Sequence, residues 1–576
     1  MKDIKWVAPT QSRERERLIE RLKQDTALQG LSEVVLNILV NRGIDTTEKI
    51  LGILDDDLMH QHNPMKLKDA DKLVFYLKKA VVDNKHIVVY GDYDCDGASA
   101  TAISVLCLRN LGARVDYFIN NRFKHGFGIC PEGVRDLIAR YPDVDVIFTV
   151  DNGIVGFEGV EEAKKHGIQV LVSDHHEPDP SGRLPDADVV VDPKRQGDNY
   201  PFKGICGAAV AYKLMMYLYL EMGEPLEYVY SMVDIVGMAT VGDVMPLLDE
   251  NRLFVKAAIR MINKNPRYVF QSLKEKFGLS LVDEETFGFQ FVPMINSIGR
   301  LTGRIDEAVD MFLSTDRKEV DRLVEYLYRM NEQRKEKTRI EEEFAAHLVE
   351  KKGTKSAIIL AHENFHEGIV GLIAGRLKER YHRPVIVFSK GEGGIWKGSG
   401  RSIEEFSIIQ ALHELSEFLH HYGGHDTACG VGVEDEKLEA FCEAFVDLAE
   451  KKLKEEDLQP KLYIDAVVRP NEVTEELVED LNRLKPFGTG FEKPNIAVYP
   501  FEVRNTYLMG DEKQHLKLTD GSLSLIMWNG SERYVVDLGS PRTVTAVGFP
   551  SLNYWNGTTN IQLIINGENL RALSPV

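Results

Sequence analysis

The strongest constraint on this 576-residue chain is a series of short apolar runs, most of them ending in a glycine or a cluster of acids and histidines. His86-Ile87-Val88-Val89-Tyr90 runs into Gly91, Val144–Val150 into Asp151-Asn152-Gly153, and Ile168–Val172 into Ser173-Asp174-His175-His176; Val189–Val191 follows. Helix-compatible sequence such as Glu158–His166 lies between some of them. Short buried strands alternating with helices predict a parallel sheet. In such sheets ligands sit at the carboxyl ends of the strands, where these motifs fall.

The rest of the chain reads in blocks. Residues 12–50 are mostly helical. Residues 305–350 read as one long helix in which Val320, Leu323, Val324 and Leu327 follow the i, i+3, i+4, i+7 rule. A second α/β pattern starts at Ser356-Ala357-Ile358-Ile359-Leu360 and continues through a helix at Ile369–Tyr381, a strand at Pro384–Phe388 and a glycine-rich stretch at 391–400. After Lys461, His515-Leu516-Lys517-Leu518, Asp520-Gly521 and Leu523-Ser524-Leu525 form a hairpin pattern, and Asn-Gly pairs recur at 529, 556 and 566. Short strands with tight turns predict a small barrel or sandwich. The expected fold is α/β, with five segments: a helical region at 1–80, a parallel-sheet domain at 81–305, a connecting helix at 306–352, a smaller α/β domain at 353–455 and a β-barrel domain at 456–576.

No apolar stretch reaches the ~18–20 residues of a bilayer span. The charged N-terminal run lacks the apolar core of a signal peptide. Six cysteines with no C-x-x-C pair predict neither a disulfide framework nor a zinc knuckle, and fit a reducing, cytoplasmic setting. The net charge of −20 argues against a generally basic surface, but charge is uneven: residues 317–339 carry eight bases against five acids. A local electropositive channel is compatible with the composition.

Four motifs carry the chemistry. Gly91-Asp92-Tyr93-Asp94-Cys95-Asp96-Gly97 sets three carboxylates at alternate positions, which repel unless a cation neutralises them. Oxygen donors in such a cluster suit Mg²⁺ or Mn²⁺. An EF-hand is excluded because its twelfth position would be Ile103. Val150-Asp151-Asn152-Gly153 is an ordinary turn by itself. Asp174-His175-His176 pairs two diverging imidazoles with a carboxylate, and Gly242-Asp243 places one more acid after an apolar helical run. Together, a mixed carboxylate–histidine set at the rim of a parallel sheet fits a two-metal centre for phosphoryl transfer.

These motifs resemble the DHH phosphoesterase superfamily, named for the triplet found here as Asp174-His175-His176. Within it the chain is similar to the single-strand-specific exonuclease branch, which has a DHH domain, a DHHA1 domain and an OB-type domain. Asn41-Arg42-Gly43-Ile44, Asn63-Pro64 through Asp69-Ala70, Asn296-Ser297-Ile298-Gly299-Arg300-Leu301, His366-Glu367-Gly368-Ile369-Val370-Gly371, Gly398-Ser399-Gly400-Arg401-Ser402, Gly423-Gly424-His425 and Pro486-Phe487-Gly488 carry the likeness over nearly the whole chain.

The resemblance implies a metal-dependent 5′→3′ exonuclease on single-stranded DNA that releases 5′-mononucleotides in repair and recombination. It implies two Mn²⁺ or Mg²⁺ ions on Asp94, Asp96, Asp151, His175 and Asp243, with Asp92 and His176 close by. Tyr90 stands where many relatives carry a histidine, and Asp92 is the substitute ligand on offer. Asn152 stands where cysteine is common. Arg122, Ser399 and Arg401 would take a terminal 5′-phosphate, Arg300 would clamp the backbone and His425 would approach the phosphate or sugar. Trp528, Tyr554 and Trp555 are candidates for base stacking. The implied partner is single-stranded DNA, with a single-strand-binding protein or helicase beside it, and the implied state is a monomer. Two other readings are a DHH phosphodiesterase of short oligonucleotides or cyclic dinucleotides, whose members are usually shorter and lack the OB-type domain, and a non-catalytic nucleic-acid-binding relative, against which the nearly full ligand set argues.

Overall fold

The four apolar runs form strands Ile87–Gly91, Val146–Val150, Gln169–Ser173 and Val189–Val191 in a computed structural model that describes residues 4–10, 12–555 and 557–572. A fifth strand, Val115–Ile119, joins them at an edge; Asp116 interrupts its apolar pattern, which hides it in the sequence. All five pair in parallel, in the spatial order Val115–Ile119, Ile87–Gly91, Val146–Val150, Gln169–Ser173, Val189–Val191. In chain order this is 2-1-3-4-5, which reverses direction between the first and third strands, Ile87–Gly91 and Val146–Val150. Ile87, Val89, Phe148 and Val150 face a large core with helices Ala70–Val82, Cys95–Asn110, Gly207–Met222 and Val233–Gly242. Val88, Tyr90, Ile147 and Val172 face a second core under helices Pro131–Arg140 and Phe157–Lys165.

The single helix expected over 305–350 is two, Asp306–Leu313 and Arg317–Lys352. They part at Ser314–Asp316, where the Asp316 carboxylate accepts from the Lys318 N–H at 3.0 Å and starts the second helix as its N-cap. The 36-residue helix does connect domains. Its first half buries Val320, Leu323, Val324 and Leu327 in the large core, and its second half buries Ala345 and Val349 in a separate one.

That separate core supports a five-stranded sheet in the order Leu419–His425, Ala428–Glu434, Ile395–Arg401, Val385–Lys390, Ile358–Ala361. Only the last two strands pair in parallel. The glycine-rich stretch 391–400 is therefore largely a strand. Both α/β domains lie in one compact unit, residues 56–454 with 488–490.

The other unit comprises residues 1–55, 455–487 and 491–576. The helical region expected at 1–80 is thus divided: helices Arg13–Lys23, Glu33–Asn41 and Thr47–Leu54 belong with the C-terminal residues. The reason is local pairing. Strand Lys5–Val7 adds in parallel to Lys461–Tyr463, Arg42 grips the Asp465 carboxylate at 2.8 and 3.0 Å, and Asn41 donates to the Asp465 carbonyl at 2.6 Å. The C-terminal sheet is built around the long strand Thr543–Trp555, which pairs with Ile496–Glu502 and Leu570–Ala572 in its first half and Thr558–Ile565 in its second. The expected hairpin pairs His515–Thr519 with Leu523–Met527. Among the described residues no helix is long and apolar enough to cross a membrane.

Candidate metal centre and phosphate-binding face

Each acidic motif follows a strand or a helix whose end aims it at the crossover point of the parallel sheet. Asp94 caps helix Cys95–Asn110, accepting from the N–H groups of Asp96 and Gly97 at 2.9 and 3.0 Å. The Asn296 side chain accepts from Cys95 N–H at 2.7 Å and fixes the same loop. Asp96 is buried, and its two oxygens accept from Gly207 and Ala208 N–H at 2.6 and 2.9 Å, the first turn of helix Gly207–Met222. Asp151 ends strand Val146–Val150 in the left-handed region, φ 62°, a strained setting for a non-glycine residue that directs its carboxylate inward. Asn152 turns away from the cluster, and its amide donates to the carbonyls of Tyr90 and Val150 at 3.0 and 2.9 Å, tying strand ends together. Asp243 follows helix Val233–Gly242.

Three groups of ligand-type atoms result, each within 4.8 Å: Asp92, Asp94 and Asp151; Asp96, His175 and Asp243; and Asp151, His175 and His176. His175 Nε2 lies 3.1 Å from Asp151 Oδ1, 3.5 Å from Asp243 Oδ2 and 3.7 Å from Asp96 Oδ2. Burial, with Asp94 next, pushes Asp96 up to about 6. Burial and neighbouring carboxylates hold Asp92, Asp151 and Asp243 well above the usual carboxylate range. Burial and His176 lower His175 to about 3, so that ring is neutral. The site is therefore crowded with acceptors and short of donors, the neutral His175 ring bringing a single N–H: Asp92 Oδ1, Asp151 Oδ1 and Asp243 Oδ2 are buried without a hydrogen-bond partner. Such buried atoms are costly unless a cation takes them, and carboxylates with one imidazole suit Mn²⁺ or Mg²⁺. The residues present fit those ions.

His176 has a different setting. Burial would lower its pKa, but Asp174, 2.8 Å from Nδ1, pushes it up to about 9. Burial likewise opposes the charge on Asp174, yet His176, with His175 and the Ile154 N–H, holds that carboxyl at about 2. Tyr90 does not face the ligands: its ring packs in the second core beside Phe118 and its hydroxyl donates to Asn120. Asp92 is the residue that shares a group with Asp94 and Asp151.

The basic residues converge nearby. Arg122 lies 5.3 Å over the ring of Tyr93, the residue between Asp92 and Asp94. Arg300 is lowered to about 10 by burial, reinforced by Arg122, Arg334 and Arg401. Arg401 is lowered by burial, with Arg122 adding to it, and donates to Ser399 Oγ at 3.3 Å. A Cβ added at Gly371, in the first turn of helix Val370–Tyr381, would come within 2.9 Å of Ser399 Oγ, so only glycine leaves that helix end open to the pair. Guanidinium groups, a hydroxyl and a helix start are donor types that suit an anion. His425 is exposed at the end of its strand, in the row of Ala428 and Arg401.

Three further residues near the candidate site were not singled out by the sequence. Asn331 and Arg334 are buried in the 36-residue helix, and Asn331 Nδ2 and Arg334 Nε lack partners. They continue the stripe of Leu327, through Thr338 and Glu341 to Ala345, and this switch from apolar to polar on one helical face was the available signal. Gly207 is the third: a Cβ there would stand 2.4 Å from Asp151 Oδ1. Of the stacking candidates, Trp528 and Tyr554 are exposed, and the Trp555 side chain lies outside the described residues.

Comparison with known proteins agrees with this arrangement. Residues 86–240 match the DHH family N-terminal domain, 354–451 the DHHA1 domain and 464–567 the RecJ OB domain. The single-stranded-DNA-specific exonuclease RecJ of Bacillus subtilis (strain 168) is 32% identical over 554 residues, covering 95% of this chain and 69% of that protein. RecJ of Dickeya dadantii (strain 3937) is 32% identical over 576 residues, covering 93% and 96%. The chain belongs to the RecJ family. The crystal structure of RecJ in complex with Mn²⁺ from Thermus thermophilus superposes with a TM-score of 0.83 at 26% identity, covering 100% of this chain and 80% of that one. The RecJ fold thus comprises the parallel-sheet DHH domain, the connecting helix, the DHHA1 domain and an OB-like C-terminal sheet.

Proposed function

We propose that this chain is a metal-dependent, single-stranded-DNA-specific exonuclease that works from the 5′ end and releases 5′-mononucleotides, in DNA repair and recombination. The observation that carries the reading is the acceptor-rich cluster at the sheet crossover, with a converging set of arginines beside it. Asp92, Asp94 and Asp151 would hold one ion, and Asp96, His175 and Asp243 the other, with Asp151 in reach of both groups. Two ions bound there supply a water of lowered pKa and neutralise charge on the phosphoryl oxygens. The chain's own residues do the rest. His176, protonated at neutral pH and oriented through Nδ1 by Asp174, keeps its Nε2–H for a phosphate oxygen. Arg122, Ser399 and Arg401 would bind the terminal phosphomonoester, and Arg300, Asn331 and Arg334 offer donors to the following backbone. Exposed Trp528 and Tyr554 are suited to stack bases of the remaining strand. The reading includes action as a monomer in the cytoplasm, with a single-strand-binding protein or helicase as protein partner.

The test is digestion of 5′-labelled and 3′-labelled single strands with Mn²⁺, with Mg²⁺ and with chelator. Release of labelled mononucleotide at once from the 5′-labelled strand, and only late from the 3′-labelled one, is expected. Chelator-resistant cleavage, or the opposite order of release, would refute the reading.

A further inference from the structure

The edge strand Leu419–His425 of the DHHA1 sheet carries two consecutive histidines whose rings meet. Neighbours on a strand normally point to opposite faces. Here the pairing with Ala428–Glu434 shifts register between Leu419 and His421, a bulge that re-aims side chains. As a result Nδ1 of His420 and Nδ1 of His421 lie 3.1 Å apart, with the rings at 85° to each other. Both residues are exposed. The His421 ring lies across Gly432, where an added Cβ would come within 2.2 Å of Cε1, so the neighbouring strand has the one residue type that leaves room for it. Burial, then His420 and Lys397, lower the His421 pKa and favour the neutral ring. The Lys397 charge is itself taken up by Glu367 at 2.8 Å.

Two imidazole nitrogens this close can share one proton or chelate one cation. With metal–nitrogen bonds of about 2.0–2.1 Å, two ligands stand roughly 2.9 Å apart at a right angle and roughly 3.3 Å apart at the tetrahedral angle; 3.1 Å lies between. We propose that His420 and His421 form a second metal site, nitrogen-ligated and separate from the carboxylate centre, that takes a borderline divalent ion such as Ni²⁺, Cu²⁺ or Zn²⁺, with water in the remaining positions. Imidazole pairs select such ions over Mg²⁺ and Mn²⁺, whereas the oxygen-rich groups of the DHH domain select the reverse. His421 pairs with Gly432 and Gly432 with Lys397; Gly423 pairs with Gly430 and Gly430 with Ser399. Cross-strand partners share a face. An ion held by the pair therefore adds positive charge to the sheet face that bears Ser399 and Arg401.

The experiment uses the full chain in excess Mg²⁺, which occupies the carboxylate centre, and follows Ni²⁺ uptake by equilibrium dialysis. Wild type is expected to take up one more Ni²⁺ per chain than either His420→Gln or His421→Gln, because a chelate needs both rings. His413→Gln, on the neighbouring helix Ile408–Glu414, should behave as wild type. Electron paramagnetic resonance of Cu²⁺ added in excess Mg²⁺ gives an independent reading, with coupling to two imidazole nitrogens expected in wild type and lost in His420→Gln and His421→Gln, both of which keep His175 and His176. Equal Ni²⁺ uptake in wild type and both variants, or Cu²⁺ coupled to no more than one nitrogen, would mean that the rings only share a proton and would overturn the site.

Discussion

Asp151 stands where the first and third strands diverge, and it contributes to two of the three ligand groups. It is buried and left-handed, and its Oδ1 has no hydrogen-bond partner. Asp151→Asn keeps the shape and removes the charge. Hydrolysis should fall to background while the fold survives, and the metal-free variant should melt no lower than wild type because one buried, uncompensated carboxylate is gone. The check is thermal unfolding with and without Mn²⁺: wild type should gain stability on metal addition, as any ligand that binds only the native state provides, and the variant should gain much less. Turnover near the wild-type level at saturating Mn²⁺ would count against the shared-ligand geometry. Gly207→Ala tests the same carboxylate from behind. A Cβ within 2.4 Å of Asp151 Oδ1 must displace it, and a shift of about 1 Å costs on the order of a hundredfold in rate. The loss should appear in kcat, with affinity for the strand nearly unchanged.

Among the secondary-structure elements, the face proposed to bind phosphate draws on a loop after strand Val115–Ile119, the end of helix Val292–Thr302, the 36-residue helix and strand Ile395–Arg401. No two of these are adjacent in sequence. A terminal phosphomonoester carries more charge than an internal diester, so Arg401→Ala should weaken binding of 5′-phosphorylated strands far more than 5′-hydroxyl ones. Losing one charge-assisted contact costs about 1.5–3 kcal/mol, roughly ten- to a hundredfold in affinity. Fluorescence titration with the two oligonucleotides measures it, and equal losses would make Arg401 a general backbone contact. Arg334 stands on the 36-residue helix. Its guanidinium is buried with an unpartnered Nε and donates from another nitrogen to Asn331 Oδ1, so Arg334→Leu trades one orphaned atom for another and should leave the melting temperature nearly unchanged while weakening strand binding at low salt. A variant that is both less stable and unaffected in binding would assign Arg334 to the scaffold. The motif residues Asn41, Arg42 and Asn63 prove to be structural: they grip Asp465 or cap a turn.

Across the full chain, sequence order and spatial grouping differ at the N-terminus. Residues 1–55 share a compact unit with 455–487 and 491–576, while 56–454 form their own with 488–490. A truncation at 454 therefore leaves strand Lys5–Val7 and Arg42 without Lys461–Tyr463 and Asp465, and bares the apolar faces around Val35, Leu36 and Leu39. The fragment 56–454 should elute as a single symmetric species in size-exclusion chromatography and retain metal-dependent cleavage of short oligonucleotides. The longer fragment 1–454 should aggregate. The reverse behaviour would show that the first 55 residues fold with the phosphoesterase domains.

The parallel sheet is written in the chain itself, because strands buried on both faces must be continuous apolar runs. So is the clustering of the candidate ligands, because closely spaced acids and paired histidines follow strand ends that a parallel sheet brings to one rim. The order of the domains and the existence of the 515–527 hairpin follow in the same way, the latter through its alternating strands and turn residues. Local pattern did not reach the edge strand Val115–Ile119, whose partner rather than its own residues makes it a strand, nor the break at Ser314–Asp316, where one capping carboxylate outweighs continuous helix propensity. Three features needed tertiary packing: Asn331 and Arg334 face inward with one unpartnered nitrogen each, Gly207 must be small to leave Asp151 its place, and Tyr90 points to the opposite core from the candidate ligands. Those facts depend on which surfaces meet in three dimensions, and the spacing of residues along one chain does not encode the distance between atoms hundreds of positions apart.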